Sequence, residues 1–324
     1  MTPFTRGGVV GVNLLWLVPG VVGGSEEYTL RLLRALGDLE PDDLRLRIYG
    51  SVALLAAHPD LGERFEYCAA PDLGGAKGAR IALEHAWLPA VSRHDDVVHH
   101  GGGVVPLTRT QPALVTIHDL QPLDLPEHFS TLKRRWLGAM LPRAVTAARL
   151  VLCPSRFTAD RIRDRFGVSE RRLAGVPQGM IEPETGAGSE GGADAVAPTG
   201  VEAGTGLADA AASYGRFLLF PAIAYAHKRH ADLIEALAVL RRRHHEISLV
   251  LTGGPGPEDA AIDGRVRRLG LEPVVHRLGR VPEDELDALY RSAAALVFPS
   301  AYEGFGNPVL EAMIRGCPVV ASDG

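Results

Sequence analysis

Cysteine is scarce in this chain of 324 residues, which contains only Cys68, Cys153 and Cys317. The three are far apart, odd in number and never arranged as Cys-x-x-Cys. A disulfide framework or a zinc cluster needs more cysteines at closer spacing, so the sequence disfavours both. A reducing, cytoplasmic compartment is the interpretation that fits this cysteine content.

An excess of basic residues is also missing, since 34 Lys and Arg stand against 39 Asp and Glu. The chain therefore lacks the basic footprint that nucleic-acid binding requires. Residues 7–24 are uncharged and imitate a signal peptide, but Asn13 and Pro19 interrupt the stretch and an amphipathic helix follows. We interpret Val9–Val18 as a buried strand before a glycine turn, and a signal peptide is the alternative.

Residues 181–212 have almost no large apolar side chains, no basic residue and no aromatic residue. Seven Gly, nine Ala and six acids dominate the tract, which cannot bury enough apolar surface to offset its ordering entropy. We predict a disordered linker at 181–213 between an N-terminal domain at 1–180 and a C-terminal domain at 214–324. A poorly packed helix over Leu207–Ser213 is the alternative for its end.

Both predicted domains contain short, continuous apolar runs separated by helical or loop stretches. The runs are Val9–Val18, Leu44–Tyr49, Val97–His99, Ala113–Ile117 and Leu150–Cys153, then Phe217–Phe220, Ile247–Leu251, Val274–Leu278, Ala294–Phe298 and Pro318–Ala321. Continuous rather than alternating hydrophobicity is typical of parallel strands covered on both faces. The predicted fold class is α/β, with two doubly wound domains and a ligand cleft beyond the carboxyl ends of their strands.

The segment after the run Ala294–Phe298 predicts a ligand site. A glycine-bearing loop leads to a helix for which Asn307 is a plausible N-cap and Pro308 a first helical residue. We expect bare backbone amides at Phe305–Val309 to offer a site for phosphate or sugar oxygens.

Two carboxylates, Glu303 and Glu311, bracket these amides and could accept hydroxyl hydrogen bonds from a sugar or a ribose. The alternative is that Glu311 only complements the helix dipole while Glu303 is solvated.

The segment Glu303–Met313, Glu-Gly-Phe-Gly-Asn-Pro-Val-Leu-Glu-Ala-Met, resembles the paired-glutamate motif of the group 1 glycosyltransferases, glycosyltransferase family 4. The resemblance implies the GT-B fold of two Rossmann-like domains. It also implies a UDP- or GDP-linked sugar donor, with no cofactor, and transfer of mannose or glucose with retention at the anomeric carbon. It would place the ribose hydroxyls on Glu311 and the donor sugar on Glu303. The donor-binding residues between them would be Gly304, Phe305, Gly306 and Asn307.

A second segment of the C-terminal half, Phe217–His230, is similar to the His-Lys-Asn-His variant of the family. Lys228 alone would be interpreted as a solvated lysine, but the resemblance makes it the diphosphate contact. Many members have an arginine where this chain has Ile223, so either the variant manages without it or Arg229 or the glycine loop compensates. Arg280 and Val281 fall where the family meets the nucleobase.

The N-terminal half carries a glycine loop before its first helix. Gly23, Gly24 and Glu26 could hold a nicotinamide dinucleotide, but a GxGxxG spacing is absent. The loop resembles the Gly-Gly-x-Glu loop of the family, in which the glycines face the donor and the glutamate lies near the acceptor.

The dipeptide His118-Asp119 follows the run Ala113–Ile117. Taken alone it favours a hydrogen-bonded structural histidine. It is similar to the His-Asp loop of the family, in which the histidine reaches the donor sugar, and the resemblance makes both residues catalytic candidates.

Breaking a sugar–phosphate bond requires stabilisation of the departing diphosphate, a task suited to Lys228 and the helix amides. Because the chain contains no Asp-x-Asp, we expect metal-independent transfer and no metal ligands. Retention could use a covalent intermediate on Glu303, Asp119 or another carboxylate, or same-face attack with the leaving phosphate as base, which the resemblance favours. The implied acceptor is a saccharide or a lipid-linked sugar. A nucleotide-sugar epimerase and a non-catalytic nucleotide-sugar binding protein remain the alternatives.

Family members continue beyond the segment Ser322-Asp323-Gly324, so the resemblance leads us to expect a truncated second domain.

A further expectation concerns Thr131–Arg149, where basic residues alternate with Leu132, Trp136 and Leu137. Such a helix could rest on anionic lipid at the inner membrane face. Alternatively, it is a helix of the first domain that buries Leu137 and Leu141.

Overall fold

A computed structural model describes residues 7–21, 24–39, 43–72, 77–180, 213–243 and 245–323. The chain divides into two compact units, Met1–Gly179 and Met180–Gly324. Each unit is a parallel β-sheet with helices, as the fold class predicted. The predicted linker at 181–212 lies outside the described residues.

The sheet of the first unit has seven parallel strands in the order β3-β2-β1-β4-β5-β6-β7. Its strands are β1 Gly8–Asn13, β2 Leu44–Gly50, β3 Glu66–Ala69, β4 Val97–His100, β5 Ala113–Thr116, β6 Leu150–Cys153 and β7 Leu173–Gly175. Its α-helices are α1 Gly24–Asp38, α2 Val52–Ala57, α3 Asp60–Arg64, α4 Lys77–Ala82, α5 Leu88–Val91, α6 Gln121–Asp124, α7 Thr131–Ala147 and α8 Arg156–Phe166. A π-helical turn, Leu83–Trp87, joins α4 to α5, and two short 3-10 turns occupy Pro126–His128 and Glu170–Arg172.

The second unit has five parallel strands in the order β10-β9-β8-β11-β12. They are β8 Phe217–Pro221, β9 Ser248–Thr252, β10 Val275–Gly279, β11 Ala295–Phe298 and β12 Val319–Ala321. The helices are α9 His230–Arg242, α10 Asp259–Arg268, α11 Glu283–Ser292 and α12 Asn307–Ile314, with a 3-10 turn at Ala226–Lys228.

Each sheet is held by its own apolar core. In the first unit, Val115 and Val151 of neighbouring strands are fully buried beneath Leu141 of α7. In the second, Phe217 and Leu249 lie at the centre of one continuous cluster. Burial on this scale is the main source of stability, and it fixes the strand ends that carry the loops.

The predicted strands all form, with ends that shift by a few residues. The largest error is at β1, which ends at Asn13 rather than Val18, because the Asn13 side chain accepts a hydrogen bond from the Leu15 N–H and turns the chain. The edge strands β3 and β7 were not predicted, since neither contains a long apolar run.

Helix α7 lies in the stretch Thr131–Arg149, which was expected to be either a helix on a membrane surface or a helix of the first domain. It buries Met140, Leu141, Ala144 and Val145 within the first unit, while Leu132 near its start is 81% exposed. The helix continues through Pro142. Within the described part of the chain, every helix falls short of the length and apolarity needed to cross a bilayer.

Candidate functional site

The carboxyl edge of the second sheet gathers three of the predicted loops. Lys228 follows β8 and Glu303 follows β11, and these two strands are hydrogen-bonded neighbours. Arg280 follows β10, two strands away from β8. Because all five strands are parallel, their carboxyl ends meet at one edge, which is where open α/β sheets bind ligands.

Lys228 and Glu303 form an ion pair at this edge, with 2.5 Å between Nζ and Oε1. Their side chains are 18% and 26% exposed, so solvent still reaches the pair. The Lys228 ammonium also lies 5.4 Å from the ring centroid of Phe298, a cation–π contact. A backbone hydrogen bond from Ala301 N to His227 O ties the two loops together. The structure thus holds an ammonium and a carboxylate side by side on linked loops.

Helix α12 begins differently from the prediction. Its N-cap is Gly306, which has a φ of 89° in the left-handed region, and Asn307 is the first helical residue. The prediction of Asn307 as N-cap is wrong because glycine adopts this backbone conformation without steric cost. The Asn307 Oδ1 is buried and has no hydrogen-bond partner among the described residues.

The first amides of α12 are only partly available. Val309 N donates to Gly306 O and Pro308 has no N–H, so the expectation of bare amides through Val309 is wrong. Within the described part of the chain, the N–H groups of Phe305, Gly306 and Asn307 have no protein acceptor. Three donors therefore stand at the positive end of a helix, an arrangement suited to an anion.

Glu311 projects from the second turn of α12 and receives a hydrogen bond of 2.9 Å from the Tyr290 hydroxyl at its Oε2. Tyr290 is 1% exposed, and burial together with the Glu311 charge raises the pKa of its phenol. The backbone of Glu311 is held as well, because its carbonyl accepts from Arg315 Nη1 at 3.1 Å. The orientation of the Glu311 carboxylate is thus set by a buried donor.

Arg280 is exposed immediately after β10, and Val281 packs against the core of the unit. Beside them a pocket of about 300 Å³ opens at the ends of β8, β9 and β10, with Thr252, Gly253 and Asp259 in its lining. A Cβ at Gly253 would lie 2.7 Å from the backbone of Ala222, so this close packing requires glycine. No sequence motif drew attention to this pocket.

The glycine loop of the first unit is only partly described. Gly23 lies outside the described residues, and Gly24 begins α1 with open space around its Cα. Glu26 is buried, and both of its carboxylate oxygens accept from the Gly20 N–H, at 3.1 and 3.0 Å. The Glu26 carboxylate therefore binds the backbone of the loop that precedes α1.

His118 lies just beyond β5, and its Nε2 is 3.0 Å from the carbonyl oxygen of Gly101. Since a carbonyl only accepts, Nε2 carries the proton. The ring packs edge-on against Tyr28, and burial lowers the pKa of His118 to about 4. The neighbouring Asp119 accepts from Gln121 N at 2.9 Å through its Oδ1 and shapes the start of α6.

The residues that support the predicted site belong to no sequence motif. Phe298 enters the sequence predictions only as the end of an apolar strand, and Tyr290 has no predicted role in the site. The signal for Tyr290 was its hydroxyl, because a buried phenol normally has a hydrogen-bond partner. No group of three or more His, Cys, Asp or Glu that could hold a metal occurs in the described ranges.

Comparison with known families covers most of the chain. The profile described as "Glycosyl transferases group 1" matches residues 211–324, and the profile described as "Glycosyltransferase Family 4" matches residues 22–180. The chain belongs to the group 1 glycosyltransferases of family 4. The first profile includes every predicted donor-side residue from Lys228 to Glu311.

Curated relatives of the chain include two mannosyltransferases. The chain is 29% identical to the O-antigen chain mannosyltransferase B of Escherichia coli, with 74% of this chain and 59% of the relative covered. It is also 29% identical to an MMP alpha-(1->4)-mannosyltransferase of Mycolicibacterium hassiacum, over 75% of this chain and 57% of the relative. The chain thus spans less than two thirds of the length of these relatives.

Solved structures with the same fold are GT-B glycosyltransferases. The HepE protein of Anabaena, in complex with UDP and glucose, superposes with a TM-score of 0.68 at 18% identity, covering 98% of this chain and 81% of that one. The lipopolysaccharide glycosyltransferase WaaG superposes with a TM-score of 0.66 at 16% identity, covering 97% and 81%. The chain therefore has the GT-B fold that the resemblance implied.

Proposed function

We propose that the full-length protein transfers a hexose from a UDP- or GDP-linked donor to a saccharide or lipid-linked acceptor, with retention and without a metal ion. The observation that carries the proposal is the position of Lys228 beside Glu303, on a loop tied to the one that leads into the free amides of α12. The names of the curated relatives support mannose as the hexose.

The donor-side chemistry follows from where charge develops. When the bond between the anomeric carbon and the phosphate oxygen breaks, negative charge grows on the departing diphosphate. The Lys228 ammonium and the N–H groups of Phe305, Gly306 and Asn307 are donors suited to that charge. Because they supply positive potential from the protein itself, the proposal needs no divalent cation.

Retention is proposed to occur by attack on the face from which the diphosphate leaves. The Glu303 carboxylate is neutralised by Lys228, which makes it a weak nucleophile. The Asp119 Oδ1 is engaged by the Gln121 N–H. Both observations favour a step in which the acceptor oxygen bonds to the anomeric carbon as the phosphate bond breaks. The acceptor proton passes to the departing phosphate oxygen.

Calorimetry followed by a transfer assay tests this function. The full-length protein should bind UDP or GDP in EDTA, and it should then glycosylate a saccharide acceptor from the matching nucleotide sugar. Nucleotide release without glycosylated product would favour the epimerase alternative. Donor binding without any turnover would favour a non-catalytic binding protein.

A further inference from the structure

A buried polar network begins where β1 ends. Asn13 is 1% exposed, and its Oδ1 accepts from the Leu15 N–H at 3.0 Å. A backbone N–H can meet only the oxygen of the amide, so Nδ2 is directed at the other two partners. It lies 3.3 Å from Oε1 of Glu84 and 3.3 Å from Nδ1 of His100. The orientation of the Asn13 amide is therefore fixed.

The tautomer of His100 follows from this geometry. Because Asn13 Nδ2 only donates, His100 Nδ1 must present its lone pair, which agrees with burial that lowers the pKa of His100 to about 3. Glu84 is buried on the π-helical turn Leu83–Trp87, and burial raises its pKa to about 7. Its Oε1 can accept from Asn13 whether the carboxyl is charged or neutral.

The network leads from Asn13 to His118 through one aromatic ring. The backbone carbonyl oxygen of Asn13 accepts from Trp16 Nε1 at 3.1 Å. The Trp16 side chain packs so tightly over Gly102 that a Cβ there would collide with it, and it also contacts Gly101. Gly101 O is the acceptor for His118 Nε2, and the rings of Trp16 and His118 lie 6.3 Å apart.

We propose that Asn13 and Glu84 are positioning residues for His118. Their hydrogen bond fixes the turn at Asn13, whose backbone carbonyl oxygen holds Trp16 against Gly101 and Gly102. This keeps the Gly101 carbonyl in place and the His118 proton on Nε2. His118 Nδ1 is then the acceptor that meets a substrate hydroxyl. Only this last clause rests on the proposed function.

The tautomer of His118 is the direct readout and requires no substrate. Long-range proton–nitrogen spectra of the chain labelled in its histidine rings should show an unprotonated Nδ1, with His118→Gln assigning the signal. In Asn13→Ala the two ring nitrogens should move toward averaged shifts. Glu84→Leu should do the same, whereas Glu84→Gln should preserve the signal because its amide oxygen still accepts from Asn13.

A matched control separates positioning from general loss of stability. Ser51→Ala removes the side chain that accepts from Leu54 N at the start of α2, in the same unit. That change should cost about 1 kcal/mol and leave the His118 signal unchanged. An unchanged signal in folded Asn13→Ala, or an equal change in Ser51→Ala, would overturn the inference. If Asn13→Ala does not fold, Glu84→Leu and Asn13→Ser carry the same expectation.

Kinetics provide the second readout. Displacement of a catalytic group by about 1 Å can cost up to about 100-fold in rate, so Asn13→Ala should lower kcat by about tenfold or more with little change in donor KM. Glu84→Leu should also lower kcat, whereas Glu84→Gln should keep the kcat of the unmodified protein. A fall in kcat that Glu84→Leu and Glu84→Gln share equally would contradict the positioning role. Absence of transfer by every form, with the tautomer intact, would count against the proposed function alone.

Discussion

At the scale of single residues, the two predicted carboxylates lie in unlike surroundings. Glu303 is paired with a cation that solvent still reaches, whereas Glu311 accepts a hydrogen bond from the buried Tyr290. Sequence spacing predicted both glutamates, but it could not predict the contact between Lys228 and Glu303. That contact depends on β8 and β11 being neighbours in the sheet, although 75 positions separate the two side chains.

Lys228→Ala should therefore slow transfer much more than it weakens nucleotide binding, because the ammonium meets charge that grows in the transition state. Loss of such a donor typically costs about 100- to 1000-fold in kcat. Glu311→Ala should instead raise the Kd for the free nucleoside diphosphate. Steady-state kinetics and calorimetry distinguish the two effects.

Arg265→Ala is the matched control for Lys228→Ala, since it also removes a cation from an ion pair of the second unit. It should leave kcat unchanged. Equal losses of kcat and of nucleotide affinity in Lys228→Ala and Glu311→Ala would contradict the separate roles.

Acid should destabilise the first unit through its enclosed histidines. Burial lowers the pKa values of His99, His100 and His118 to between about 3 and 4, whereas an unfolded histidine titrates near 6.5. Between those values the unfolded chain binds more protons, so the free energy of unfolding falls as pH falls from 6.5 to 4. Each histidine contributes up to about 1.4 kcal/mol per pH unit.

Denaturant unfolding across this pH range checks the expectation. His99→Gln, which can still bond to the Thr116 hydroxyl, should make the free energy of unfolding depend less steeply on pH. Glu84 acts in the opposite sense, because its raised pKa makes stability fall as pH rises toward 7. If the free energy of unfolding depends on pH equally in His99→Gln and in the unmodified chain, His99 does not contribute to the acid sensitivity.

At the scale of elements, apolar runs predicted the inner strands of both sheets and the edge strands β10 and β12 of the second sheet, but they missed the edge strands of the first sheet. β3 reads Glu-Tyr-Cys-Ala and β7 reads Leu-Ala-Gly, so neither is a continuous apolar run. Cap chemistry follows the general preference at the start of α8, where the Ser155 side chain accepts from Thr158 N. It failed at α12, because Asn307 is a favourable cap in general while only the backbone angles identify Gly306.

Gly306→Ala tests the start of α12. The site has open space, so an added methyl group meets no neighbour and the cost comes from the positive φ alone. That cost should be about 1–2 kcal/mol in the free energy of unfolding, and nucleotide affinity should fall as the amides shift. Denaturant unfolding and calorimetry measure the two effects.

The control for Gly306→Ala is Gly264→Ala, in the middle of α10, where the φ is not positive and the space is also open. This change should stabilise the chain by about 0.5–1 kcal/mol. A Gly306→Ala variant as stable as the unmodified chain would show that the left-handed cap carries no strain.

At the scale of the whole molecule, the fold class followed from the sequence because continuous apolar runs recur in both halves of the chain. The buried network of Asn13 could not be predicted from the sequence, since its partners come from a π-helical turn and another strand.

Membrane contact also belongs to the scale of the whole molecule. Helix α7 buries its apolar face in the first unit, so that face is not available to lipid. Its exposed side chains near the start are Leu132 and the cations Lys133, Arg134 and Arg135.

Because this end of α7 has three cations and a single exposed leucine, we expect it to be attracted to anionic lipid headgroups without inserting into the bilayer. We expect sedimentation with anionic vesicles at low salt, no sedimentation with neutral vesicles, and release at physiological salt. Reversing Lys133, Arg134 and Arg135 to Glu should abolish the low-salt binding. Binding that persists at physiological salt would instead indicate apolar insertion.

The configuration of the transferred sugar tests the central claim most directly. The full-length protein is incubated in EDTA with an α-linked nucleotide hexose and a saccharide acceptor, and the one-bond C1–H1 coupling of the new glycoside is measured by NMR. A retaining, metal-independent glycosyltransferase gives an α-linked product under these conditions. A β-linked product would contradict retention, and transfer that appears only after Mn²⁺ is added would contradict metal independence.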